Sequence, residues 1–275
     1  MNTGDSLSAY LARIGYAGCR EPTLAVLRDI HALHPAAIAF EGLDPFLGRP
    51  VDLDPSSIQV KLVHGRRGGY CHEHNALFHD MLVALGFAVR PLGGRVVWMA
   101  PGRVAPLSHR ITLVDLAEGR FIADVGVGGQ TPTAPLRLEP GLEQLTSHGT
   151  YRLMRDGEGF KMQLRLSDRW ATMYRFNLEP KTRADFEMAN WFTSTHPRTR
   201  FTQNLVAARI VGQSRITLLN TSLIIRHLDG SQEQRTLADA HDLQRVLESM
   251  MGLDLPVAGT AIWARLPTQP VPIWP

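Results

Sequence analysis

Cysteine is scarce in this chain. Two residues in 275, Cys19 and Cys71, cannot build a disulfide framework at this length, and they exclude a four-cysteine zinc site. The two could pair with each other in principle, although a reducing compartment favours free thiols. Long apolar runs are also missing. None approaches the roughly 18 residues of a membrane span, and "MNTGDSLSAYLARIGY" lacks the basic start and long apolar region of a secretory signal. Runs of one charge sign are absent too. A formal charge of +3 is spread along the sequence, which suits a small anionic ligand better than the concentrated basic face of a nucleic-acid groove. No internal repeat or low-complexity tract appears. These absences point to a soluble cytoplasmic protein with no membrane or nucleic-acid partner, and a 44% hydrophobic content is enough for a real core.

The patterning changes with position. Residues 5 to 33 carry apolar residues at helical spacing with a break around "GYAGCREP", which predicts two helices. "CHEHNALFHDMLVALGF" has an apolar stripe at Ala76, Leu77, Met81, Leu82 and Leu85 before Gly86 ends it, so Cys71 opens a third helix. From residue 87 the pattern turns to β. "FAVRPL", "RVVWMA", "HRITLVDL", "RFIADVGV", "LRLEPGLEQL", "YRLMRD", "FKMQLRL" and "WATMYRF" are short strand-like runs between turn residues, and together they suggest a barrel-like middle region. "TRADFEMANWFTST" reads as a helix, "ARIVG" and "RITLLNTSLIIRHL" as strand, and "LADAHDLQRVLESMMGL" as a last helix.

A cysteine at a helix start faces unpaired backbone N–H groups and the positive end of the helix dipole, which favour a thiolate. Gly68 and Gly69 allow a sharp entry into that helix. A buried structural thiol would fit the same local pattern. A zinc site built from Cys71, His72, His74 and His79 would need ligands that converge, but "CHEHN" lacks the H-E-x-x-H spacing and adjacent helical residues diverge. A nucleophile needs a base with an orienting partner. In "SHRITLVDLAEGRFIADVGVG", a loop over Leu116 to Gly119 would pair Asp115 with Arg120 and set Asp124 opposite Ile111, on the face of His109 and diagonal to it. A slip of one residue would send the two side chains to opposite faces. The glycines of "DVGVGGQ" superficially suggest a dinucleotide loop, but the prolines that follow do not make its helix.

"RGGYCHEHN" resembles the R-G-G-x-C-x-E-x-N signature of the arylamine N-acetyltransferases, and the order Cys71, His109, Asp124 is similar to that family's triad. "YLARIGYAG", "IAFEGLD" and "NWFTSTHPRTRF" are similar to family segments in family order, so the resemblance covers essentially the whole chain. It implies an α+β fold with a cysteine-protease-like core: a helical region over 1–86 bearing the cysteine, a β-barrel region over 87–181 bearing His and Asp, and an α/β lid over 182–275. It implies acetyl-CoA as co-substrate, no metal, and arylamines, arylhydroxylamines or arylhydrazines as acceptors, with an acetyl-cysteine intermediate formed and discharged in two steps. Phe40, Val96, Trp98 and Val127 fall where family members line the acceptor pocket, with Val96 and Trp98 on one strand face. Ser108, Gly128 and Phe201 fall near positions that contact CoA. Arg67 and Glu41 resemble a family ion pair that supports the fold, and Glu73 and Asn75 read as structural.

The sequence departs from the family pattern where Val127 replaces a phenylalanine, which would widen the pocket, and where Gly42 replaces an asparagine. His72 and His74 occupy variable positions and receive no role. A cysteine-protease or transglutaminase-like hydrolase with the same triad is the rival reading.

Overall fold

The computed structural model describes residues 3–98, 100 and 104–268. In chain order the elements are α1 (Thr3–Ile14), α2 (Leu24–Ala37), β1 (Phe40–Glu41), α3 (Leu43–Phe46), α4 (Pro55–Ile58) running into a π-helical turn over Gln59–His64, and α5 (Cys71–Ala84). Eight strands follow: β2 (Ala88–Val96), β3 (His109–Leu116), β4 (Gly119–Ala123), β5 (Leu136–Arg137), β6 (Glu143–Thr146), β7 (Gly149–Asp156), β8 (Gly159–Arg165) and β9 (Trp170–Pro180). Then come α6 (Arg183–Thr195), α7 (Arg200–Gln203), β10 (Val206–Val211), β11 (Ser214–Leu219), β12 (Ser222–His227), β13 (Gln232–Thr236), α8 (Ala240–Arg245) with a π-helical turn over Val246–Met250, and α9 (Gly259–Trp263). The architecture is α+β.

Local chemistry sets the helix boundaries. Thr23 caps α2 by accepting from the N–H of Val26, and Thr182 and Asp185 cap α6 reciprocally. At the end of α5, Gly86 adopts φ +84° while its N–H and that of Phe87 donate to Val83 and Leu82, a Schellman closure that returns the chain toward the sheet. The predicted apolar stripe of α5 packs with α1, α2 and the outer face of β3 and β4 through Leu11, Leu27, Ile30, Leu77, Phe78, Leu82, Val114 and Phe121.

The larger sheet runs β5-β4-β3-β2-β9-β8-β7-β6, antiparallel throughout. Its two edges approach each other. Gln144 makes two hydrogen bonds to the backbone of Arg137, and the N–H of Gly141 reaches the carbonyl of Leu153, so the sheet nearly closes around Leu92, Ile111, Tyr151, Met162 and Tyr174. The eight strands are partitioned differently from the eight sequence runs. Most of "FAVRPL" and the first two residues of "RVVWMA" fall on one strand, because β2 passes through Gly93 and Gly94 with a bulge against β9; the rest of "RVVWMA" lies beyond it, with Met99 outside the described residues, and "LRLEPGLEQL" divides into β5 and β6 at its Pro-Gly turn. Trp98 lies beyond the end of β2, so it does not share a strand face with Val96 as the alternation predicts.

The second sheet, β1-β10-β11-β12-β13, starts with residues from the first sixth of the chain. Phe40 and Glu41 pair with Ala208 and Ala207, and Leu43 and Phe46 join Leu205, Leu218, Leu243, Val246 and Leu247 in one core. Phe40 also bridges Gly69, which places the turn before Cys71 against the edge of this sheet.

That turn is held by buried charge. Glu41 accepts from Arg67 at 2.7 and 3.0 Å and from the N–H of Leu43 at 2.6 Å. Lys61 lies 2.5 Å from Asp44 and 2.6 Å from Glu73, and Glu73 accepts the N–H of Tyr70 at 3.1 Å. Burial opposes the charge on Lys61, but the surrounding carboxylates raise its pKa overall. Each ion is paired and hydrogen-bonded, the condition under which such a cluster is tolerated inside a protein. A Cβ on Gly68 would collide with the carbonyl oxygen of Ala39, so only glycine permits the close approach of these two segments. Gly68→Ala should destabilise the fold by roughly 2–4 kcal/mol through forced backbone displacement. Gly4→Ala, at an unobstructed position in α1, should leave stability equal or slightly higher. Denaturant midpoints of the two variants test this, and equal midpoints would contradict it.

Candidate functional site

Cys71 is the first residue of α5 and is buried, with its Sγ 3.6 Å from the carbonyl oxygen of Ser108. Being at the first position, its N–H has no intrahelical acceptor. His109 opens β3 and lies within hydrogen-bonding reach of the thiol. On its other side Nε2 meets Asp124 Oδ2 at 2.7 Å, leaving Nδ1 for the sulfur. The hairpin register explains the meeting: Asp115 pairs with Arg120 and Thr112 with Ala123, and the chain continues one residue past β4 to Asp124. His109 and Asp124 are both almost wholly buried. Burial works against charge on His109, but the Asp124 carboxylate outweighs it and lifts the imidazole to about 10. Burial likewise works against the charge on Asp124, and the imidazole and other donors hold it below the usual carboxylate range.

Two residues that looked structural, or that sequence reasoning missed, position this carboxylate. Asn75, one turn after Cys71 on α5, donates to Asp124 Oδ1 at 3.0 Å and to the carbonyl of Arg110 at 2.7 Å, while its own oxygen accepts the N–H of Val125. It therefore ties the helix to both chain segments that carry the imidazole and the carboxylate. His31 on α2 accepts the backbone N–H of Asp124 at Nε2, 3.2 Å away, and burial keeps its pKa near 4, in the neutral form that can accept. A signal for Asn75 existed in the signature itself. None existed for His31, which lies 93 positions from its partner.

Neither remaining histidine of "CHEHN" is hydrogen-bonded to the thiol. His74 Nε2 faces the carbonyl of Ala39, an acceptor only, so this nitrogen carries the proton and Nδ1 accepts from His34 Nε2 at 2.8 Å. His34 Nδ1 then accepts from the hydroxyl of Tyr10 at 2.9 Å. Each step follows from the one before, and burial keeps both imidazoles neutral, His74 at about 4 and His34 well below its ordinary value. His72 packs its ring against Tyr70 and Phe186. Among the described residues, no group of three or more His, Cys, Asp or Glu is placed to hold a metal ion.

The thiol and imidazole open into a cavity of about 510 Å³. Phe40, Val96, Trp98, Val127, Ser108, Gly128 and Phe201 all line it, so residues from five separated stretches come together there. Met173, Gln130, Thr217, Arg200 and Arg226 line it as well, and nothing in the sequence patterning singled them out. Phe201 packs on Phe40 and edge-on to Tyr70, which brings the region after α6 against the cysteine's turn. A Cβ at Gly42 would strike this phenylalanine, a physical reason for glycine at that position.

A thiol, an imidazole and a carboxylate in sequence at one side of a largely apolar cavity can support nucleophilic acyl chemistry. The comparisons with known proteins narrow this class. Residues 23–260 match the N-acetyltransferase family model. The chain is 42% identical to the arylamine N-acetyltransferase of Mycobacterium tuberculosis strain H37Rv over 254 residues, 90% of this chain and 89% of that protein. It is 40% identical to the Escherichia coli K12 arylamine N-acetyltransferase over 248 residues, 90% of this chain and 88% of that one. The Mycobacterium marinum arylamine N-acetyltransferase solved in complex with CoA superposes with a TM-score of 0.91 at 41% identity, covering 94% of this chain and 97% of that one. The chain belongs to the arylamine N-acetyltransferase family, and it is an acyltransferase.

The folded His109 keeps its proton to about pH 10, against about 6.5 in an unfolded chain. Its contribution to stability is therefore full below about pH 6.5 and is lost as pH rises toward 10. Asp124, held low, contributes above about pH 4 and loses that contribution as pH falls through its lowered pKa. The stability difference between the wild type and Asp124→Asn should be largest between about pH 4 and 6.5 and shrink toward pH 10, as urea unfolding across that range would show. A difference independent of pH would contradict an ionised pair. Asn75→Ala should cost on the order of 2–4 kcal/mol, since it leaves the Val125 N–H and one lobe of a buried carboxylate unsatisfied.

Proposed function

We propose that the chain transfers the acetyl group of acetyl-CoA to the nitrogen, or oxygen, of arylamines, arylhydroxylamines and arylhydrazines by a two-step reaction through Cys71. The observation that carries this reading is the continuous array of Cys71, His109 and Asp124 at the wall of the cavity, in a member of an acetyltransferase family with a relative solved in complex with CoA. In this reading the cycle begins with a charged His109 beside the Cys71 sulfur as its anion. The sulfur attacks the thioester carbonyl carbon, the bond from that carbon to the CoA sulfur breaks, and His109 gives its proton to the departing sulfur. The free N–H of Cys71 is placed to stabilise the oxyanion. In the second step the acceptor amine attacks the acetyl carbon, His109 takes the amine proton, and the Cys71 sulfur leaves as the anion that began the cycle. Asp124 holds the imidazole in one orientation and stabilises its charged form throughout.

Phe40, Val96, Trp98 and Val127 form the acceptor's apolar walls in this reading, and Ser108, Gly128 and Phe201 border the donor's path. We read residues 1–86, 87–181 and 182–275 as three units of a cysteine-protease-like core with a lid. The first carries the thiol, the second carries the imidazole and carboxylate, and the third covers the cavity. Supporting this are a barrel core drawn wholly from residues 87–181, against whose outer side the helical core packs through Val114 and Phe121, and the contact of Phe201 with Tyr70.

Intact-protein mass spectrometry after brief mixing with acetyl-CoA should show one acetyl group, absent in Cys71→Ala, present in Cys19→Ala and discharged by an added arylamine. Absence of an adduct under quenching fast enough to trap it, on folded protein, would overturn the covalent reading in favour of a hydrolase. Val127→Phe should restore an aromatic wall and raise KM for bulky acceptors relative to aniline-sized ones by about tenfold, the scale of a few methylenes in an apolar pocket. A uniform change across acceptors would place Val127 outside the acceptor site.

A further inference from the structure

Several buried and half-buried arginines in this protein have partners within the chain itself. Arg67 pairs with Glu41 and Asp44. Arg215 donates to the carbonyls of Gly129, Thr131 and His148, Arg13 to those of Leu62 and Ala37, and Arg209 to that of Ala36. Arg110, whose Nε is also enclosed without a hydrogen-bond partner, lies over the ring of Phe186 with Asp80 nearby. Arg200 differs. It opens α7 at the cavity wall, its Nε is fully enclosed, its guanidinium forms no hydrogen bond or ion pair with a described residue, and, unlike Arg110, it has neither a ring face nor a nearby carboxylate among them. Burial lowers its pKa, and no neighbouring carboxylate acts against that. A guanidinium carries five donors, and removing such a charge from water without a partner costs several kcal/mol.

The surroundings define the missing partner's charge. Among the described residues the cavity lining contains two arginines, Arg200 and Arg226, and no aspartate or glutamate. Arg226, on β12, has only one long contact, 3.4 Å to the hydroxyl of Thr217. The walls assigned to the acceptor, Val96, Trp98 and Val127, are uncharged, and an arylamine is neutral at its reacting end. Of the two reactants, the acyl donor is the one that always carries anions, on its pyrophosphate and its ribose phosphate.

We propose that Arg200 is a specificity-determining residue that binds a phosphate of the acyl-CoA donor, with Arg226 as a second cationic contact on the facing sheet; this rests on the acetyl-CoA reading above. The fork of the guanidinium suits bidentate contact with phosphate oxygens, and the donor then supplies the partner that the fold withholds. Because the charge is uncompensated until the donor arrives, it also adds an attraction that weakens with ionic strength.

The test compares two acetyl donors on the full chain. Acetylation of Cys71 is followed with acetyl-CoA and with p-nitrophenyl acetate, a neutral ester that lacks any phosphate. Arg200→Gln should raise the acetyl-CoA concentration for half-maximal acetylation by roughly 10- to 100-fold, the scale of a lost hydrogen bond to a charged group. This loss should exceed any loss with the ester by at least about tenfold, and Arg200→Lys should recover part of it. CoA binding measured by calorimetry should weaken in parallel and lose part of its salt dependence. Equal losses with both donors would make Arg200 merely structural. An unchanged dependence on acetyl-CoA, or an effect confined to an acidic acceptor such as aminobenzoate, would overturn the assignment. If the wild type is acetylated by neither donor, the covalent reading fails instead, and weaker CoA binding by Arg200→Gln would still support the assignment.

Discussion

A carboxylate with almost no exposed surface organises this protein. Asp124 is ionised inside the fold, and an unpaired charge there would cost several kcal/mol, so every donor around it is needed. The donors come from different places. His109 is at the start of β3, Asn75 is on the helix that begins with Cys71, and the N–H of Gly126 lies in the loop two residues on. His31 fixes the backbone of Asp124 from α2. Satisfying one buried charge thus locks the helix bearing the sulfur to the hairpin bearing the imidazole, and this gives the site a single geometry.

A second buried polar system does the corresponding work before the cysteine. Glu41, Asp44, Lys61, Arg67 and Glu73 clamp the turn through Gly68 and Gly69, and the neutral chain from Tyr10 through His34 and His74 to Ala39 backs it. The two systems divide the four polar positions after the nucleophile. Glu73 serves the turn, His74 the neutral chain, Asn75 the carboxylate, and His72 is packed among rings. None of them touches the cavity, whose lining is left to small, apolar and aromatic groups with two arginines.

Elements whose burial follows a short period were legible in the sequence. The stripe of α5, the break between α1 and α2, and the hairpin register around Leu116 to Gly119 are local, and each appears as the spacing predicts. Elements defined by distant partners were not legible. β1 is two residues long and exists because β10 lies beside it. β13 is exposed along its whole length, so it has no apolar alternation to reveal it, and backbone pairing with β12 alone makes it a strand. The helical stretch from Pro55 to His64 carries its contacts in a π-helical turn that departs from the 3.6-residue period.

The sequence by itself determined which residues can do chemistry: a thiol at a helix start, an imidazole and a carboxylate on one face of a hairpin, and glycines where the backbone must pass closely. Those properties depend on neighbours within a few positions, where backbone geometry alone settles the outcome. Only the tertiary structure decided which groups support them. His31 reaches Asp124 across 93 positions, residues 39–46 leave the helical region to complete the last core, and Arg200 arrives at the cavity without a counter-ion. Such placements arise from the packing of separately formed faces, and a one-dimensional pattern records each face without recording what it will meet.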